Sequence, residues 1–320
     1  MSEAVSTIRI GVSQCLMGDL VRFNGGHARD RYLTGLLADF FEFVPVCPEV
    51  EIGLGIPRET IRLERAGASV RLVAPKSGTN LTRRMRTYAK KKAGELTSED
   101  LSGFILKKDS PSCGLLRVRV YDENGVPSRS GRGVFAEELC SKHPQLPVEE
   151  EGRLNDPLLR ENFLERVFAY RRLRDLFSKP RWKISELVQF QTQEKLLVMA
   201  HDPRSQRKLG QIVAGAKAGP RKQVAALYQE TFMGALEKRA TPGRHANTLN
   251  HMASYFKQHV PSSERVALSS LIDDYRKRLT PLIVPLTLIR HYVRKHEIEY
   301  LAGQSYLEPH PKELMLRNHV

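Results

Sequence analysis

The chain has 320 residues, 41% of them apolar, and a formal net charge of +15. No uninterrupted apolar run approaches the roughly 20 residues that span a bilayer, and the first residues show no basic segment followed by a long apolar core. The expectation is therefore a cytoplasmic protein with no membrane partner, whose positive balance favours acidic partners, nucleic acid foremost.

Taken in chain order, Ile8–Ser13 reads as a buried strand and Tyr32–Phe41 has helical apolar spacing. Short strands are expected at Phe43–Cys47 and Val70–Val73, and a polar, basic helix at Leu81–Gly94. Strands at Gly103–Lys107 and Arg117–Tyr121 and a short helix at Val134–Lys142 follow. This alternation predicts an α/β N-terminal domain with a mainly parallel, Rossmann-like three-layer sheet. The stretch HPQLPVEEEGRLNDP from His143 is rich in proline and acidic residues and reads as a linker or domain edge, which sets the domains at 1–150 and 151–320.

Beyond it the period is helical. Asp156 is expected to cap a helix that starts at Pro157 and runs to about Phe177. Further helical patterns are Ile184–Ala200, Ser205–Ala218, Arg221–Lys238, Arg244–Gln258, Ser262–Leu279 and Pro281–Lys295, the last with Pro285 expected to kink or break it. The C-terminal domain is thus predicted to be all-α. Its histidines, His201, His245, His251 and His291, show no i, i+4 pairing of a helical metal site and read as core or cap hydrogen-bonding groups.

There are four cysteines. In a reducing cytosol they serve as packing residues, nucleophiles or metal ligands rather than disulfides. Cys15 lies just past the first strand, Cys47 ends the second and Cys113 lies a few residues past Gly103–Lys107. Ligands gather at the carboxyl ends of the strands of an open parallel sheet, so these three can meet at one point. Cys140 falls inside a helical pattern and reads as a small hydrophobe. Thiolates suit zinc, for which His27 would make a fourth ligand, or an iron–sulfur cluster. A cubane on three cysteines leaves one iron open.

The segments Gln14–Gly18, Val21–His27, Cys47–Val50, Gly53–Arg58 and Ser110–Gly114 resemble, in order, those of the thiouracil desulfidase (TudS-like) family over residues 8 to 142. The C-terminal part is similar to the YbgA family at His201, His245–Thr248, His251–Phe256, Tyr275-Arg276, Pro281–Thr287 and Tyr306–Pro311. The first resemblance implies a [4Fe-4S] cluster on Cys15, Cys47 and Cys113 and hydrolytic desulfuration of a thiolated pyrimidine, with the substrate sulfur on the open iron. It implies catalytic roles for Glu49 and Ser110 in activating water and handling protons, and substrate contacts from Asn24, His27 and Ser112. Asn80 stands where many relatives carry aspartate, and the fused, basic helical part points from a free base towards a thiolated nucleotide or tRNA. Two other readings stay open: a basic nucleic-acid-binding accessory protein with a structural metal site, and a zinc-stabilised interaction module.

Overall fold

In a computed structural model of the chain, which describes residues 7–319, the polypeptide forms two compact units that divide between Asn155 and Asp156. The N-terminal unit is α/β and the C-terminal unit is helical, as the periodicities predict.

The N-terminal unit runs β1 (Ile8–Ser13), a 3-10 turn (Gln14–Met17), α1 (Arg31–Thr34), β2 (Phe41–Val46), α2 (Pro48–Glu51), β3 (Arg62–Ala66), β4 (Ser69–Ala74), β5 (Thr79–Asn80), α3 (Thr82–Glu95), β6 (Leu101–Leu106), β7 (Val118–Tyr121), β8 (Pro127–Gly131), α4 (Val134–Lys142) and β9 (Val148–Glu150). Strands β2, β1, β6 and β9 form, in that order, a parallel sheet. Every residue of β6 is buried, as a strand covered on both faces requires. Pro45 sits in β2, an edge strand of that sheet, where its missing N–H costs no ladder bond. Ser13 lies level with Val46, and Val12 with Ile105, so β1, β2 and β6 end together at one edge. The order reverses between β1 and β6, which makes that edge the place where a ligand cleft opens.

Three expectations are corrected. The helical spacing over Tyr32–Phe41 resolves into α1 and a 3-10 turn, broken at Gly35, whose Cβ would meet the Arg31 carbonyl at 2.7 Å. The region between residues 60 and 131 builds a second sheet, β5-β4-β3-β7-β8, in which β3 and β4 form an antiparallel hairpin. Charged residues in β3 hide its alternation, and Gly67, at φ +60, makes the turn. The stretch read as a linker or domain edge is no free linker: it carries β9, which pairs with β6 and ends at Glu150, and both Glu150 and Glu151 are buried.

The helical unit comprises α5 (Pro157–Phe177), α6 (Ile184–His201), α7 (Pro203–Gly215), α8 (Arg221–Leu236), α9 (Pro242–Ala253), α10 (Ser262–Arg276), α11 (Ile283–Lys295) and α12 (Glu299–Ala302). Asp156 accepts the amides of Leu158 and Leu159, and Asp202 and Thr241 cap α7 and α9 in the same way, each followed by proline. Pro285 does not break α11. The helix begins two residues earlier, so Pro285 lies in the first turn, where no intrahelical N–H is needed. One apolar core joins all these helices, with Phe190, Tyr228 and Phe232 at its centre. Among the described residues no helix is long and apolar enough to cross a membrane.

Candidate metal centre and active site

At the shared carboxyl edge of β1, β2 and β6 a cavity of about 540 Å³ is lined by Cys15, Cys47 and Cys113 together with Glu49 and Ser110. Its size falls in the range of small-molecule sites, roughly 300–1,000 Å³.

Each cysteine is held by its own local device. Cys15 lies in the 3-10 turn after β1, which Gly18 closes at φ +106, a conformation that penalises any side chain. The Cys15 carbonyl accepts the amide of Ala28 at 2.9 Å. Cys47 precedes α2, with the backbone amides of Val50 and Glu49 turned towards its sulfur. Cys113 is buried, and its amide donates to Ser110 Oγ at 3.0 Å, as does that of Ser112 at 3.2 Å. The start of α4 clamps this loop: Val134 and Phe135 donate their amides to the carbonyls of Pro111 and Ser112. Close approach there needs glycine, since a Cβ on Gly133 would stand 2.5 Å from the Ser112 carbonyl.

Burial disfavours all three thiolates. It pushes Cys15 up to about 11, with the neighbouring Cys47 adding to it and Lys107 and Arg22 opposing. It raises Cys47 against the pull of the two amides. It raises Cys113 well above the usual thiol range, against a hydrogen bond from Ser13 and with Glu49, Cys15 and Cys47 adding to it. These sulfurs sense one another, and as thiolates they need a cationic group among them. A thiophilic metal centre fits that donor set. Among the described residues no three His, Cys, Asp or Glu side chains gather closely enough to hold a single ion. A cubane is much wider than one ion, and its ligands stand correspondingly farther apart.

Glu49 is fixed from two sides. Arg58 Nε and Nη2 donate to its Oε2 at 3.1 and 2.7 Å, and Ser112 Oγ donates to Oε1 at 3.1 Å. Arg58 also donates to the carbonyls of Val21 and Gly55, so it ties three loops together. Ser110 Oγ, which lines the cavity, accepts two amides and keeps its own proton to donate. Ser112 is fully buried and reaches the site through Glu49. Asn24 and His27 are exposed and lie outside the cavity lining; they accept the amides of Gly26 and Arg29 within their own loop. That loop sends Arg22 and Phe23 to the cavity instead. Cys140 is half-buried in α4, away from this lining.

Sequence reasoning assigned no task to Arg58, Ser13, Lys107, Lys108 or Arg119, all of which line the cavity. Arg58 ends the quoted Gly53–Arg58 segment, and Ser13 is the one polar residue closing an apolar strand, so both left a trace.

The sequence model of the 2-thiouracil desulfurase family matches residues 10–151, and that of the family described as Protein of unknown function (DUF1722) matches residues 195–311. The Uncharacterized protein YbgA of Escherichia coli (strain K12) is 33% identical over 159 residues, covering 49% of this chain and 94% of YbgA. The Uncharacterized protein YbbK of Bacillus subtilis (strain 168) is 32% identical over 155 residues, 46% of this chain and 98% of YbbK. A solved structure of a [4Fe-4S]-dependent thiouracil desulfidase, TudS, matches at 28% identity and a TM-score of 0.37, over 47% of this chain and 94% of that one. The chain thus belongs to the TudS-like 2-thiouracil desulfurase family in its N-terminal half, fused to a domain of the YbgA family.

Proposed function

We propose that the N-terminal unit is a desulfidase that hydrolyses the carbon–sulfur bond of a thiolated pyrimidine, with a [4Fe-4S] cluster held by Cys15, Cys47 and Cys113. The observation that carries this reading is the convergence of three thiols from three strand ends on one cavity whose wall also bears the Glu49–Arg58 pair. When bound by three cysteines, such a cluster supplies an open iron, a soft Lewis acid for the substrate sulfur.

The remaining work falls to the chain. Arg58 and Ser112 aim the Glu49 carboxylate, which takes a proton from water as the water oxygen bonds to the ring carbon. As the carbon–sulfur bond breaks, Glu49 returns its proton to the sulfur, which departs as hydrosulfide, and the added hydroxyl loses its proton to water to leave a carbonyl, so no electrons are exchanged with an outside donor. The Ser110 hydroxyl, whose oxygen already accepts two amides, donates a hydrogen bond to a ring heteroatom and keeps its proton. Lys107 is neutralised by Glu151, and Arg58 by Glu49, whereas Arg22, Lys108 and Arg119 add positive charge to the same wall. That surplus suits a phosphorylated substrate, a thiolated nucleotide or tRNA, over a free base.

The test is the iron, acid-labile sulfide and zinc content of anaerobically purified protein, followed by sulfide release from 2-thiouracil, a thiolated pyrimidine nucleotide and thiolated tRNA. About four irons and four sulfides per chain are expected, and Cys113→Ala is expected to lose iron and activity together. A colourless Cys113→Ala protein with full activity sinks the proposal, and zinc without sulfide turns the site into a structural one.

A further inference from the structure

Phe23 is the one aromatic side chain among the described residues that line the thiol cavity. It is 38% exposed, so its ring stands where the cavity meets solvent. A single exposed phenylalanine needs no explanation by itself, since folded surfaces carry many apolar atoms. What sets this one apart is how firmly it is held, and by what.

Its loop is a closed turn. Arg22 donates its amide to the Gly26 carbonyl at 3.1 Å, and Gly25 donates its own to the Arg22 carbonyl at 2.9 Å. Gly25 permits that turn at φ +75. The loop is also stitched to the groups that surround the proposed reaction. The Phe23 carbonyl accepts the Arg58 amide at 2.8 Å, and the Val21 carbonyl accepts Arg58 Nη2 at 2.9 Å. The same Val21 carbonyl lies 3.9 Å from the Cys47 sulfur. Arg58 in turn grips Glu49 through two N–H groups. The backbone at Phe23 is therefore fixed by the arginine that aims the carboxylate and, through Val21, by one of the three thiols. Support of this kind holds a side chain that must meet a ligand in one place.

The ring is backed as well. The Arg22 guanidinium lies over it, 5.7 Å from its centre, in a cation–π contact. Arg22 lines the cavity too, and its charge is felt at Cys15. The other apolar side chains of the lining, such as Val21, Val46 and Ile61, are aliphatic. A flat heteroaromatic ring that enters this cavity finds one flat partner, Phe23.

We propose that Phe23, backed by Arg22, is the surface on which the substrate ring stacks, so that the site selects a planar aromatic ring over a puckered or open-chain thiocarbonyl compound. This rests on the desulfidase reading of the cavity and narrows its substrate class. Stacking uses the face of the ring and leaves its edge to Glu49 and Ser110.

The experiment measures, by calorimetry on the anaerobically purified full chain, the binding of uridine monophosphate and dihydrouridine monophosphate. The two carry the same charge and the same oxygens and N–H on the ring, but the second ring is puckered and not aromatic. The parent is expected to bind uridine monophosphate about fivefold or more tightly than its dihydro form. Phe23→Leu, which keeps an apolar side chain, is expected to lose that preference. Phe23→Tyr, which keeps the ring, is expected to retain it, with the iron bound per chain the same in all three proteins. The proposal is overturned if the parent binds the two nucleotides alike, if it binds neither, or if Phe23→Leu keeps the preference. Sulfide release from 2-thiouracil and a thiolated pyrimidine nucleotide reports separately on the reaction. A parent that releases sulfide without telling the two nucleotides apart loses the stacking contact alone; one that tells them apart and releases no sulfide keeps the contact and loses the desulfidase reading.

Discussion

The two units bury polar chemistry in opposite ways. In the N-terminal unit three thiols, contributed by residues nearly a hundred positions apart, are brought together by strand ends and buried, and the nearby cations oppose but do not offset the cost of that burial. In the helical unit the buried carboxylate of Glu165 has both its partners, His201 and Arg317, from the same unit. The first arrangement needs something from outside to complete it; the second is closed within the unit, with Arg317 between Glu165 and Glu161. A buried group that finds its partners within the fold serves mainly structure, and one that does not marks where a ligand belongs.

Substitutions can break or sharpen that contrast. Beyond the Cys113→Ala test, the largest effect is expected from Glu165→Gln. Burial works against the Glu165 carboxylate, but His201 and Arg317 outweigh it and hold it ionised far below the usual range. Removing the charge leaves Arg317 with only the more distant Glu161 and should cost about 3–5 kcal/mol in a denaturant melt, while the iron bound per folded chain stays unchanged. Loss of iron instead would show that the two units are not independent.

Arg58→Lys is next. Lysine cannot reproduce the two N–H contacts on Glu49, so turnover should fall about 10²-fold, as for a misplaced general base, with iron and sulfide content retained. Loss of iron in this variant would make Arg58 a structural tie rather than a positioning residue.

Glu161 gives a pH signature. Its folded value of about 8 lies above the ordinary 4.5, so its contribution is full below 4.5 and is lost as the pH rises through 8. Glu161→Gln should therefore flatten the decline in stability between pH 5 and pH 9. Parallel stability curves for the two proteins would remove the assigned cause. The smallest effect belongs to Asp156→Ala, which deletes the cap on α5 and should cost about 1 kcal/mol, read in the same melts.

What the sequence displays follows from how each region is built. The start at Asp156 was readable because aspartate before proline satisfies free amides, whereas the same device at Asp202 and Thr241 went unread and those helices were expected to begin at Ser205 and Arg244. Strands β1 and β6 were readable from apolar runs, and the cysteines from their place just beyond strand ends. Strand β3 was not, because a strand carrying Arg62, Glu64 and Arg65 looks like a charged loop even though it is the middle strand of its sheet. The roles of Arg58 and Ser13 depend on contacts across loops that no local pattern encodes. The polar heart of the helical unit was hidden most completely: Glu161 and Glu165, four apart on α5, have the spacing of a solvated charged face and only the fold shows them to be inside.

The position of β9 bears on how the protein is made. Val148–Glu150 supplies a strand of the parallel sheet, and the next residue, Glu151, accepts from the backbone and side chain of the Lys107–Lys108 segment that lines the thiol cavity. A growing chain that has emerged only as far as α4 has all three cysteines in hand but an uncovered β6 and an unbraced cavity wall. Domains commonly fold in order of synthesis. Here the closing piece of the first domain is also the last to leave the ribosome before the helices begin, so the pairing of β6 and the bracing of the Lys107–Lys108 wall wait until Glu151 has emerged.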